Sequence, residues 1–363
     1  MFRRPKHMKH RMLGRSSGLV LLLVLSLSAH TPSATPPPQP ETGPGGKQAP
    51  HAAVIKNRYG KSGKEYWIFE PDKPKPAHAP LVIFLHGWAG TNPLYYGAWI
   101  DHIVKRGNIV VFPRYQASIL TPRENFIPNT LDAIKAALEQ LKTDPSHVRP
   151  ELDKVATVGH SLGGVLSASV AALASESGLP HVRVVMSVEP GITRNPVNVP
   201  MPDLKKIESD TLLLSIAGDR DTLVEDYDAK RIYYESSRVS AENKDFIRLM
   251  TDDRGSPALI ANHRAPTAPD KDYDNGEGDL TDRRSTVGSG SAGTVNNQSS
   301  SSRTPEVNAL DYYGLWKLFD GLCDAAFYGK NREYALGNTP QQRFMGKWSD
   351  GVPVKELFVT DKP

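Results

Sequence analysis

Short runs of apolar and β-branched residues recur along the chain at Glu65–Phe69, Leu81–Leu85, Asn108–Phe112, Lys154–Val158, Val182–Val188, Thr211–Ala217 and Phe246–Met250. Most are apolar at successive positions, the pattern of strands covered on both faces. Between them the spacing changes to three and four. Leu131, Ile134, Ala137, Leu138 and Leu141 mark a helix over Thr130–Leu141, the Ala-rich Leu162–Ser175 marks a second, and Val224–Ser237 a third. Alternating strands and helices predict an α/β fold with a mostly parallel, doubly wound sheet and right-handed crossovers. Chemistry in such sheets collects at the C-terminal strand ends. Near the end of the chain, Leu310, Tyr313, Leu315, Trp316, Phe319, Leu322, Cys323 and Phe327 predict a core-facing aromatic helix at about 309–328.

The ends of this pattern set the domain organisation. A basic stretch from Met1 to Arg15, an apolar run Leu19–Leu25 and the small residues after it have the layout of a signal peptide over 1–29. The apolar run is about half the ~20 residues a bilayer needs, so no stable span is expected once the signal is removed. Export to the periplasm or outside the cell follows as an expectation. Residues 30–51 are dense in Pro and Gly and read as a flexible linker, leaving 52–363 as one domain. Within it, Asp270–Arg303 has scarcely an apolar residue and reads as a disordered insertion. Asp270, Asp272, Asp274 and Gly276 echo a calcium loop, but the glycine falls one place late and Thr281 stands where a bidentate Glu is needed.

Composition narrows the partners. With 39% hydrophobic and 23% charged residues and a single cysteine, the 363-residue chain has a globular body without an internal disulfide. The lone Cys323 reads as a small buried hydrophobe. Six cations (Arg3, Arg4, Lys6, Lys9, Arg11 and Arg15) precede residue 18, so the net charge of +4 becomes −2 for the rest. Such a body has no basic field to attract nucleic acid.

The chemistry centres on Gly159-His160-Ser161-Leu162-Gly163, a G-x-S-x-G sequence continued by Gly164. Gly14–Gly18 matches the same pattern, but no strand precedes it. The Ser161 copy lies between a predicted strand and a predicted helix, where a cramped turn exposes the hydroxyl and small neighbours relieve crowding. A serine needs a base, and the base an orienting acid. Of the two histidines after Ser161, His181 precedes its strand and so lies at the opposite edge; His263 follows one and becomes the candidate base. The loop after Thr211–Ala217 offers Asp219 and Asp221 as acids, with Asp221 favoured, and Glu189 ends the neighbouring strand. Donors for a developing oxyanion are expected from the N–H groups of Leu162 and of Trp88, in His86-Gly87-Trp88-Ala89-Gly90. The Trp88 side chain and Tyr115 are candidate substrate-binding groups.

These residues, His86 to Trp88, Gly159 to Gly164, Gly218 to Val224 and Asn262 with His263, resemble the α/β-hydrolase family in type and order. The chain is most similar to its compact secreted esterases, lipases, cutinases and polyester hydrolases, and to the dienelactone-hydrolase-like group. The resemblance implies an α/β-hydrolase fold and carboxylic ester hydrolysis through a Ser161-His263-Asp221 triad and an acyl-enzyme. It implies no metal and no cofactor, with a small-molecule or polymeric ester as substrate. Only about twenty residues, Pro190–Asp210, stand where many relatives carry a cap, so no large cap domain is expected. The chain departs from secreted cutinases in lacking their disulfides and in its insertion. Amide, thioester or lactone cleavage by the same residues is the alternative activity, and a non-catalytic binding protein on this fold is the alternative class.

Overall fold

The structure, a computed structural model, describes residues 1–3, 33–61, 63–191, 199–277 and 306–363. Residues 4–29 of the expected signal peptide and the part of the expected insertion from residue 278 to 303 lie outside the described residues, and so does Thr281 of the calcium pattern. Ala34–Pro363 is one compact unit and is the subject below.

Nine strands form one sheet: β1 (Ala53–Tyr59), β2 (Tyr66–Asp72), β3 (His78–Leu85), β4 (Ile109–Pro113), β5 (Arg149–His160), β6 (Val182–Val188), β7 (Leu212–Gly218), β8 (Lys244–Leu249) and β9 (Phe358–Thr360). The order is β1-β2-β4-β3-β5-β6-β7-β8-β9. Neighbours from β4 through β8 are parallel, while β1, β2 and β9 run antiparallel to the strands they join. The chain passes from β3 to β4 on one side, then returns to lay β5 on the other. The switch point of the sheet therefore falls between β3 and β5, the place where open α/β sheets bind ligands.

Helices cover both faces because the central strands carry apolar side chains on both. Val82 and Phe84 belong to a core shared with α1 (Gly97–Lys105) and α5 (Trp316–Tyr328), where Trp99 meets Phe84 edge-on at 5.2 Å. Leu81, Ile83 and Leu85 point the other way, into a core shared with α2 (Phe126–Thr143) and α3 (Leu162–Leu173). α4 (Tyr227–Glu235) packs beside β7, and the short α6 (Pro340–Arg343) lies near the C-terminus. The aromatic stretch enters α5 through a π-helical turn over Leu310–Leu315, and Cys323 is buried within α5. Among the described residues, no helix is long and apolar enough to cross a membrane.

Two expectations of looseness need correction. Described residues of the expected linker lie against the body: the Tyr312 hydroxyl donates to the Pro37 carbonyl, Gly45 N–H donates to Asp320 Oδ2 at 2.7 Å, and Pro37, Pro44 and Gly45 are buried. Proline and glycine lack side chains that form a core of their own, but their backbone groups are satisfied here by distant partners. The start of the expected insertion is also part of the body. Tyr273 packs on Phe69 with ring centroids 5.2 Å apart and donates to Asp101 Oδ1 at 3.0 Å. Glu277 accepts from Arg58 at 2.5 Å and from Arg114 at 2.8 Å. The carboxylates of the calcium pattern turn to local donors: Asp270 accepts from Asp272 N–H at 2.9 Å, and Asp274 from Asn92 Nδ2 at 2.8 Å.

Candidate functional site

β5 passes into α3 within a single residue. That residue is Ser161, whose φ of 58° and ψ of −123° lie where a non-glycine residue is strained. Its N–H donates to Val188 at 3.0 Å and its carbonyl accepts from Gly164 N–H at 2.9 Å, which holds the turn against relaxation. Close packing explains the flanking glycines. A Cβ on Gly159 would overlap the Gly163 carbonyl, and one on Gly163 would overlap the carbonyls of Leu85 and His86.

His263 reaches this turn from the loop after β8. Its Nε2 lies 3.0 Å from Ser161 Oγ, and its Nδ1 lies 2.8 Å from Asp221 Oδ2. The other oxygen of Asp221 accepts from the N–H groups of Leu223, at 2.9 Å, and Val224, at 3.2 Å, which fixes the carboxylate. Asp219 turns away: its Oδ1 accepts from Thr251 Oγ1 at 2.6 Å and from Thr251 N–H at 3.0 Å. The acid loop and the histidine loop are also tied directly, since Arg220 N–H donates to the Ala261 carbonyl at 2.9 Å.

The loop after β3 forms the opposite wall. A Cβ on Gly87 would lie 3.4 Å from Ser161 Cβ, so this loop runs alongside the serine. Trp88 N–H has no acceptor among the described residues. Leu162 N–H opens α3, ahead of any intrahelical acceptor. The Trp88 side chain is 45% exposed.

Tyr115 requires a correction. It is fully buried, its ring stacks on His86 at 4.1 Å, and its hydroxyl donates to the His86 carbonyl. A residue so enclosed has no surface for substrate; it braces the loop that carries Trp88. Burial lowers His86 to about 3, so its ring is neutral and, through Nδ1, donates to the Gly87 carbonyl at 2.6 Å.

Two further residues join the site, and of these Tyr96 lacks a sequence signature. Tyr96, just before α1, accepts at its hydroxyl from Gly87 N–H at 2.9 Å and stands 3.0 Å from His160 Nδ1, linking the β3 loop to the serine turn. Glu189, considered above as an acid, sits 3.7 Å from both His263 Nδ1 and His160 Nε2. It is completely buried, and neither carboxylate oxygen has a hydrogen-bond partner among the described residues. Burial pushes its carboxyl well above the usual carboxylate range, and the neighbouring Asp221 adds to the shift. Burial likewise drives His160 well below the ordinary imidazole value, the His263 ring charge acting in the same direction and the His263 backbone against it.

A serine hydroxyl beside the switch point, an imidazole and a fixed carboxylate reaching it from the loops after β8 and β7, and two N–H groups form an arrangement suited to acyl transfer. A family model described as chlorophyllase, an α/β-hydrolase-fold esterase family, matches residues 46–217. The match takes in the β3 loop, the serine turn and Glu189, and ends before Asp221 and His263. No curated protein matches the chain.

Proposed function

We propose that the chain, which an α/β-hydrolase-fold esterase family model matches over residues 46–217, hydrolyses carboxylic esters through Ser161, His263 and Asp221. The observation that carries the reading is the relay of hydrogen-bond distances from Ser161 Oγ through both His263 nitrogens to Asp221 Oδ2. His263 Nε2 takes the serine proton as Oγ attacks the ester carbonyl, and Asp221 stabilises the imidazolium that forms. Leu162 and Trp88 N–H groups hold the oxyanion. His263 then protonates the leaving alcohol, and water, deprotonated by the same nitrogen, releases the acid.

The loops supplying these groups also carry exposed apolar side chains. Trp88, Leu223 and Ile260, exposed by 45%, 72% and 40%, follow β3, β7 and β8. An apolar rim at this edge favours esters with a large apolar group. The reading includes export, on the strength of the N-terminal pattern. It is tested with the chain from residue 31 onward and a chain-length series of chromogenic acyl esters, beside Ser161→Ala and His263→Ala. Hydrolysis lost in both variants supports it. Hydrolysis retained in Ser161→Ala overturns it.

A further inference from the structure

Behind the proposed triad, three side chains converge from the end of β5 and from two loops. His160 precedes the serine turn, Glu189 follows β6, and His263 comes from the loop after β8. His160 Nε2, a Glu189 carboxylate oxygen and His263 Nδ1 all lie within 4.8 Å of one another. The carboxylate stands 3.7 Å from each nitrogen. Ligands at about 2.0–2.1 Å from a tetrahedral zinc ion stand roughly 3.3–3.4 Å apart, so shifts of under an ångström or so would close the cluster around one ion.

Polar satisfaction points the same way. Glu189 is fully buried with both oxygens unpartnered among the described residues, and His160 is 5% exposed with Nε2 unpartnered. Buried polar atoms without partners are costly, and the two Glu189 oxygens and His160 Nε2 lie together here, beside a His263 Nδ1 held by Asp221. The outer partner is in place as well. Ligation at Nε2 puts the remaining proton of His160 on Nδ1, and Tyr96 Oη lies 3.0 Å away to accept it. Two imidazoles and one carboxylate suit zinc, with a fourth position left for solvent.

We propose that His160, Glu189 and His263 form a zinc site whose occupation shuts off the serine. Ligation uses the Nδ1 lone pair of His263. The proton formerly on Nδ1 and shared with Asp221 moves to Nε2, and the proton of a neutral Glu189 leaves to solvent. With Nε2 protonated, the imidazole has no lone pair for the Ser161 proton. The binding is independent of the hydrolase reading; only its effect on turnover rests on it.

The test measures Zn2+ binding by titration calorimetry on the Ser161→Ala chain, which keeps all three ligands and needs no turnover. One Zn2+ per chain is expected, with affinity falling by at least about 100-fold in Ser161→Ala/Glu189→Gln and in Ser161→Ala/His160→Gln. No binding, or binding that both substitutions leave unchanged, overturns the site. Since substitutions at buried positions can cost the fold, the Ser161→Ala chain is also titrated with Co2+. The intense visible bands of a low-coordinate ion support the cluster; the spectrum of aqueous Co2+ at saturating metal overturns it. In the unsubstituted chain, Zn2+ should abolish ester hydrolysis and a chelator restore it. Unaffected hydrolysis with the metal bound overturns the shut-off. Binding in a chain that hydrolyses no ester would leave the site standing while the functional reading falls.

Discussion

Asp221 holds His263 Nδ1 at 2.8 Å, while Asp219, two residues earlier on the same loop, is bound to Thr251. The turn aims two adjacent carboxylates apart, and only one faces the histidine. Asp221→Asn should therefore lower kcat by about 10³- to 10⁴-fold with the fold intact, the scale set by losing a histidine's orienting acid. Asp219→Asn should keep kcat within about tenfold and act on stability through Thr251. Steady-state kinetics and thermal melts of both variants check this; equal losses of kcat would reassign the acid.

Gly163 has no room for a methyl group beneath the Leu85 and His86 carbonyls. Gly163→Ala should cost on the order of 1–3 kcal/mol, the usual scale of overpacking, and should displace the β3 loop. Urea unfolding reads the first effect and ester turnover the second. A variant of unchanged stability would show that the contact yields freely.

The two aromatic candidates separate cleanly. Tyr115→Phe removes the hydroxyl bonded to the His86 carbonyl, so it should lower stability by about 0.5–1.5 kcal/mol while KM stays unchanged. Trp88→Ala removes a side chain that is 45% exposed and should leave stability alone. It should raise KM about tenfold for esters with apolar acyl chains, equal to roughly 1.4 kcal/mol. The reverse pattern would restore Tyr115 as a substrate contact.

Asp311, in the π-helical turn, is fully buried, and burial raises its carboxyl to about 8. One oxygen accepts from Asn308 N–H at 2.8 Å, and the other has no partner among the described residues. In the unfolded chain this group ionises near 3.9. Between about 4 and 8 the folded state binds the extra proton, so its stability contribution is complete below that window and is lost as pH rises through it. The stability of Asp311→Asn relative to the native chain should accordingly increase from pH 5 to pH 9 in melts across the range. A constant difference would mean that Asp311 does not titrate in the folded chain.

The central strands and the serine turn were legible in sequence because their signals are local. Val182–Val188 is apolar at five of its seven positions, and Gly159 to Gly164 combines a strand, a tight turn and a helix in one stretch. The edge strands were not. β1 reads Ala-Val-Ile-Lys-Asn-Arg-Tyr, half solvated, and β9 has three residues. Neither has the continuous apolar run that marked the middle of the sheet. The nine-residue α1 escaped too, being too short to establish a period against its surroundings. Long-range satisfaction left no mark at all. The order of the Pro-rich segment depends on Tyr312 and Asp320, some 275 residues away, and the order of Glu277 on Arg58 and Arg114. Composition describes what a segment cannot bury by itself, and here distant residues bury it. In the site, chain order led to Ser161, Asp221 and His263, but the burial of Tyr115 and the clustering of Glu189 with His160 arise only when strands from separate regions lie side by side.

A covalent intermediate on Ser161 is tested most directly by intact-mass measurement during turnover of a slowly deacylating chromogenic ester. A mass increment of one acyl group is expected, mapped to the peptide holding Ser161 and absent in Ser161→Ala. Turnover with the acyl group on another residue, or turnover undiminished in Ser161→Ala, would contradict it.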